Sequence, residues 1–153
     1  MRILTHKSLL KGTVAIPASK SHTIRAVTIA SLADGNSLIR NPLDSQDAQS
    51  CVRTYQALGA SINTDNPKLW TVQGTGENLQ IPKDTIDVGN SGTTLNIAIG
   101  SASLINQDQK IRFTGDYQIQ SRPVGRLCKA ISQLGAKAWT DKNNDCAPVT
   151  VQG

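Results

Sequence analysis

The sequence predicts an α/β (α+β) fold of two tandem β-α-β-α-β-β units with helices buried against sheets, and three observations carry that prediction. A shift of 76 positions lays one apolar helical stripe on another. Two long segments almost free of charge lie upstream of those stripes, and short strand-like runs alternate with all four helical segments. Such alternation implies some parallel pairing, right-handed crossovers and helices packed on a sheet.

The units take residues 14–76 and 77–153. In the first, Thr13 to Ile16 reads as a strand, followed by a helix from Thr23 to Ala33 in which Arg25 is the only charge. Ser37 to Arg40 is a second strand. The stripe then runs Ala48, Cys51, Val52, Tyr55 and Leu58, one face of an amphipathic helix capped by Ser45 and ended by Gly59. Two strands close the unit, Ser61 to Asn63 and Leu69 to Gln73, with a turn at Asn66-Pro67. The second unit repeats the order. Thr85 to Val88 is a strand, an uncharged run extends from Val88 to Gln107, and Lys110 to Thr114 is the next strand. Ser121 caps a stripe of Val124, Leu127, Cys128, Ile131 and Leu134, ended by Gly135. Lys137 to Thr140 and Val149 to Gln152 follow around an Asn143-Asn144 turn. The uncharged helices are expected to be the buried ones. Leu58-Gly59-Ala60 and its copy Leu134-Gly135-Ala136 are helix ends with no chemistry assigned.

Both uncharged helices open on residues suited to anions. Gly89-Asn90-Ser91-Gly92-Thr93-Thr94 is a glycine-and-hydroxyl turn that can aim backbone N–H groups at one point, where the helix dipole adds positive charge. Ser19-Lys20-Ser21-His22-Thr23-Ile24-Arg25 opens the other, with Ser21 and Arg25 four apart on one face. Lys20, and Arg122 directly after the Ser121 cap, put cations at helix starts, where they oppose the dipole by about 0.3–1 kcal/mol. A bound anion reverses that conflict. Two such starts imply a doubly anionic ligand or two ligands. Against this stand plain structural roles: Asn90 and Thr93 as caps, Asp44 and Asp47 as acids that favour the dipole beside Ser45, and Arg126 and Lys129 as a solvated face.

Composition narrows the partners. Sixteen Lys+Arg against eleven Asp+Glu give a net charge of +5, which favours anions. Few aromatics (Tyr55, Trp70, Phe113, Tyr117, Trp139) and no adjacent basic run speak against nucleic acid. No segment approaches the ~20 apolar residues of a membrane span, and the start of the chain lacks an export-type apolar stretch, so a cytoplasmic protein is expected. Cys51 and Cys128 sit on the stripes as core residues, and Cys146 stands alone in a turn. His6 and His22 have no companion ligands, so no metal site is expected; His22 reads as an exposed loop residue.

Pro17-Ala18-Ser19-Lys20-Ser21 to Arg25-Ala26, Leu43-Asp44-Ser45-Gln46-Asp47, Gly89-Asn90-Ser91-Gly92-Thr93, Thr114-Gly115-Asp116 and Ser121-Arg122-Pro123-Val124-Gly125 resemble, in that order and spacing, the N-terminal part of the 5-enolpyruvylshikimate-3-phosphate synthases. The resemblance covers nearly the whole chain and about the first third of the family's usual length. It implies two of six β-α-β-α-β-β units of the enolpyruvyl transferase type, with residues 1–13 beginning the opposite domain. It further implies that Lys20 contacts both substrates and is catalytic, that Ser21 and Arg25 hold shikimate 3-phosphate, and that Gly92 and Arg122 hold phosphoenolpyruvate. Asp47, Asn90 and Thr93 would border the site. The implied reaction moves the enolpyruvyl group of phosphoenolpyruvate to the 5-hydroxyl of shikimate 3-phosphate, in aromatic amino acid biosynthesis, through a tetrahedral addition–elimination intermediate, with no cofactor. The partner implied is the missing C-terminal portion, without which no turnover is expected.

Asn96 departs from the family's arginine four residues after the cradle glycine, and the acid–base carboxylates of the family lie in the portion absent here. The related UDP-N-acetylglucosamine enolpyruvyl transferase fits less well, because Lys20-Ser21 with Arg25 matches the shikimate branch and no cysteine matches that enzyme's reactive loop. Alternatives from other classes are a non-catalytic anion-binding module, one half of a split enzyme, and a basic nucleic-acid-binding domain.

Overall fold

The computed structural model describes residues 2–9, 11–105 and 109–153. Its elements follow the order α1 (Lys20–Leu32), β1 (Asn36–Arg40), α2 (Gln46–Ala57), β2 (Ser61–Asn63), β3 (Leu69–Gln73), β4 (Ile86–Asp87), α3 (Gly92–Ala102), β5 (Ile111–Thr114), a 3-10 turn (Ile119–Ser121), α4 (Gly125–Gln133), β6 (Lys137–Thr140) and β7 (Val149–Gln152). The strands form two sheets. One has the order β1-β3-β2, all antiparallel, and the other β4-β5-β7-β6, in which β4 and β5 pair in parallel. The end of the uncharged run, residues 106 and 107, lies outside the described residues, as does residue 108.

The sheets match strand for strand, β1 with β5, β3 with β7 and β2 with β6, except that β1 lacks the neighbour that β4 gives β5. The strand expected from Thr13 to Ile16 is not formed. Residues 13–16 are irregular, and Val14 and Ile16 stand 77% and 82% exposed. The reason is packing. β4 lies against α2, which belongs to the preceding run of elements, and it buries Ile86 and Val88; no helix precedes residues 13–16 among those described. A strand without a covered face gains too little burial to offset its ordering entropy.

α1, α2 and α3 pack on one another and join the halves into one core. Ile24, Val27, Cys51, Tyr55, Leu95 and Ile99 are essentially fully buried, and the Tyr55 hydroxyl hydrogen-bonds Ser101 Oγ at 2.8 Å, linking α2 to α3. α3 is covered along Thr94, Leu95, Ala98, Ile99, Ser101 and Ala102. α1 is less enclosed than expected, since Ile29 stands 69% exposed on its outer face. Cys51 and Cys128 are buried, as their stripe positions require. His22 lies exposed on α1 rather than in a loop.

The start of α4 corrects the sequence reading. Ser121 does not cap it: its hydroxyl donates to the Gln118 carbonyl at 2.8 Å, within the 3-10 turn. Arg122 is not helical, having extended geometry (φ −88°, ψ 130°). A residue before proline is pushed out of the helical region, so Pro123 delays α4 to Gly125. The acid at the new helix start comes from the β6–β7 loop. Asp145 accepts the Val124 and Gly125 N–H groups through its carbonyl at 2.7 and 3.1 Å, and its carboxylate lies where a Gly125 Cβ would be. A carboxylate there favours the dipole.

Candidate functional site

Three loops meet at the N-terminal ends of α1, α2 and α3. Ser19 caps α1, accepting from the His22 N–H at 3.4 Å. The Thr23 hydroxyl donates to the Ser19 carbonyl and accepts the Leu43 N–H at 2.9 Å, which ties the loop before α2 to the start of α1. Ser45 caps α2 through the Ala48 N–H. Gln46 and Asp47 are thereby placed beside Lys20, whose ammonium lies 3.5 Å from the Asp47 carboxylate.

The third loop needs its glycines. Gly89 has φ +57°, the left-handed region open to glycine, and its N–H donates to Asp87 Oδ1 at 2.7 Å. Its carbonyl accepts the Asp116 N–H at 2.9 Å, and Gly115 packs so closely that a Cβ would sit 2.6 Å from that carbonyl oxygen and 2.7 Å from Ile119 Cβ. Asp116 Oδ1 accepts the N–H groups of Gln118 and Ile119, both at 3.0 Å, and so holds the 3-10 turn. Asn90 Nδ2 donates to Gln118 Oε1 at 3.0 Å. Ile119 is fully buried, and the next turn of chain delivers Arg122 across the start of α3.

There the Arg122 guanidinium covers Gly92, with Nη1 only 2.9 Å from where a Gly92 Cβ would stand. Ser91 caps α3 through the Thr94 N–H, leaving the Gly92 and Thr93 N–H groups in the turn whose donors have no acceptor inside the helix. Lys20, Gln46, Asp47, Asn90, Gly92, Thr93 and Arg122 line one cavity of about 320 Å3. That volume lies at the small end of ligand sites and suits a compact anion. Two cations, one carboxylate and a helix start carrying about half a positive charge leave the cavity net positive. Among the described residues the ion pairs are Lys20–Asp47 and Arg112–Asp141, so Arg122 has no carboxylate partner there.

Of the residues singled out in the sequence, the structure brings together Lys20, Asp47, Asn90, Gly92, Thr93 and Arg122. Ser21 and Arg25 are not in the cavity lining; both are exposed on α1, and Arg25 Nη1 donates to the Ser21 carbonyl at 3.0 Å. Gln46 was missed, although its place between the Ser45 cap and Asp47 puts it at the first helical position facing the same loop. Asn96 is exposed on α3 and outside the lining. The buried thiols of Cys51 and Cys128 lie outside the cavity lining. Burial pushes Cys51 up to about 11, partly offset by hydrogen bonds from Thr28 and Thr94, and burial also raises Cys128. Among the described residues no group of three His, Cys, Asp or Glu could hold a metal, and no helix is long and apolar enough to cross a membrane.

Fold and cavity define an α/β protein that converges helix starts and two cations on a single anion-sized space. The family profile described as EPSP synthase (3-phosphoshikimate 1-carboxyvinyltransferase) matches residues 4–153. Curated relatives named 3-phosphoshikimate 1-carboxyvinyltransferase include one from Acetivibrio thermocellus, 50% identical over the whole chain and 36% of its own length. Another, from Methanococcus aeolicus, is 43% identical over 99% of the chain and 35% of its own length. The solved EPSP synthase of Acinetobacter baumannii superposes on 93% of the chain and 32% of its own with a TM-score of 0.84 at 27% identity. The chain belongs to the EPSP synthase family, and it spans about a third of the length of the relatives it matches.

Proposed function

We propose that this chain forms the Lys20/Gly92/Arg122 wall of an enolpyruvyl transferase cleft, in which phosphoenolpyruvate gives its enolpyruvyl group to the 5-hydroxyl of shikimate 3-phosphate. The observation that supports this best is the meeting of Lys20, Arg122 and the α3 start around one cavity in a chain of this family. Arg122 offers bidentate contact to carboxylate or phosphate, while Lys20 supplies a point charge that can also donate a proton. Both cations offset charge that builds when the hydroxyl oxygen bonds to the enol carbon and when phosphate departs from the tetrahedral intermediate. Ser21 and Arg25 are proposed to hold shikimate 3-phosphate at the rim of α1, outside the cavity itself. Residues 14–76 and 77–153 are proposed as two units, residues 1–13 as the first part of an opposite domain, and the cytoplasm as the location.

The polypeptide alone is proposed not to turn over, because the cavity presents one carboxylate, Asp47, which is already paired with Lys20. Phosphate release is measured with both substrates, first with this chain alone and then with a separately made C-terminal portion of the Acetivibrio thermocellus relative. Background release alone, and release with the complement that Lys20→Ala abolishes, supports the proposal. Release by the chain alone that Lys20→Ala abolishes overturns the need for a complement. No release with the complement, and no saturable amide shifts with either substrate, overturns the function.

A further inference from the structure

Two parts of the cavity's positive side hang from neighbouring strands. β4 and β5 pair in parallel, with Asp87 opposite Thr114, so both leave the sheet in the same direction. The chain after β4 turns into α3 and brings the Gly92 and Thr93 N–H groups. The chain after β5 passes through the 3-10 turn and brings Arg122. Each then continues into a different helix, α3 or α4, so neither helix alone sets the distance from the guanidinium to the α3 start.

Asp116 joins the two loops. Its N–H donates to the Gly89 carbonyl at 2.9 Å, and its carbonyl accepts the Gln120 N–H at 2.9 Å. One carboxylate oxygen, Oδ1, accepts the Gln118 and Ile119 N–H groups, each at 3.0 Å. Ile119, placed by that carboxylate, is buried, and its Cδ1 lies 3.7 Å from where a Gly92 Cβ would stand. Its carbonyl accepts the Arg122 N–H at 3.1 Å. The contacts therefore run from the Asp116 carboxylate through Ile119 to Arg122 and Gly92.

The charge runs against this use. Asp116 lies outside the cavity lining and makes no ion pair among the described residues. It nevertheless puts a negative charge on a loop bordering a space that attracts anions. By Coulomb's law alone a carboxylate there weakens anion binding, and removing it should help.

We propose that Asp116 is a positioning residue for the anion site. Its carboxylate sets the turn that holds Arg122 over the start of α3, and the affinity gained by that placement exceeds what the charge takes away. The inference rests on the reading of the cavity as an anion site. Alanine at position 116 keeps the backbone bond to Gly89 and removes the two bonds to Oδ1, so its effect falls on the Arg122 side. Asparagine keeps an Oδ1 acceptor without the charge.

The test is amide NMR titration of this chain with phosphoenolpyruvate at low salt, read at Gly92 and Thr93. Asp116→Ala is expected to lower affinity about five- to tenfold, the effect of displacing a charge-assisted contact. Asp116→Asn should keep it, or raise it by up to about threefold. In an Arg122→Ala background Asp116→Ala should cost less than about twofold more. Tyr55→Phe is the stability control: it removes the Tyr55–Ser101 bond near the far ends of α2 and α3 and should leave affinity within about twofold. Affinity unchanged or raised by Asp116→Ala overturns the proposal, as does an equal loss in Asp116→Asn. So does full additivity with Arg122→Ala, or an equal loss in Tyr55→Phe. Each of these leaves the cavity reading intact. A parent chain without saturable shifts at Gly92 overturns the cavity reading, and this inference with it.

Discussion

Gly92→Ala tests whether the closeness of Arg122 to the start of α3 serves anion binding. An added Cβ meets Arg122 Nη1 at 2.9 Å and Ile119 Cδ1 at 3.7 Å, so only the guanidinium must move. Regaining ordinary contact takes a shift of roughly 0.5–1 Å, within the freedom of an exposed arginine. Stability therefore holds or rises, by up to about 1 kcal/mol, since alanine suits a helix better than glycine. Binding does not hold. Misplacing one charge-assisted hydrogen bond costs about 1.5–3 kcal/mol, or roughly 10- to 100-fold in affinity for phosphoenolpyruvate. Amide NMR titration at low salt measures the affinity, and urea unfolding measures the stability. In an Arg122→Ala background Gly92→Ala should cost almost nothing further. Unchanged affinity in the single variant, or full additivity in the double variant, would refute the reasoning.

Lys20→Ala should lower phosphoenolpyruvate affinity about tenfold in the same titration, yet change stability by less than about 1 kcal/mol, because its pair with Asp47 is partly exposed. Gly115→Ala should destabilise by about 3 kcal/mol in urea, since the Gly89 carbonyl and Ile119 leave no space for a Cβ and neither is a flexible chain end. The Cys51 thiol, raised from 9.0 to about 11 by burial, ionises later in the folded than in the unfolded chain. Its contribution is complete below pH 9 and is lost as pH rises toward 11, at about 1.4 kcal/mol per pH unit. Cys51→Ala should therefore lose about 2 kcal/mol less than the parent between about pH 8.5 and about pH 10.5 in urea unfolding.

Most elements were legible because local chemistry and packing agree. β2, β3, β6 and β7 fall on the residues their alternation marks, and Ser45 caps the helix that follows it, whereas α3 is capped by Ser91 and not by the Asn90 or Thr93 put forward from the sequence. Distant contacts decided residues 13–16 and Gln46, and at α4 a distant loop acted together with a proline two residues after Ser121. Residues 13–16 have the pattern of a strand, but the covering helix that β4 receives from α2 has no counterpart there. Ser121 has the chemistry of a cap, but Pro123 and the Asp145 loop set the helix start elsewhere. Gln46 has a local signal in its place just after the Ser45 cap, but it enters the cavity only because the Thr23–Leu43 hydrogen bond ties the loop before α2 to the start of α1.

The displaced start of α4 also decides which cation is ready for an anion. Had Arg122 begun α4, its charge would have opposed that helix. Extended by Pro123, it opposes α3 instead, lying over Gly92 with no carboxylate partner among the described residues. Lys20, the first residue of α1, faces the same conflict but is compensated by Asp47. An incoming phosphate is thus drawn to Arg122 and the α3 start outright, and must compete with Asp47 for Lys20. Asp47→Asn removes the competitor while keeping a polar residue in the first turn of α2. Affinity for inorganic phosphate should rise about three- to fivefold, equivalent to roughly 0.5–1 kcal/mol, and stability without phosphate should fall by no more than that. A fall in phosphate affinity would show the opposite relation, with Asp47 aiming Lys20 at the ligand rather than withholding it.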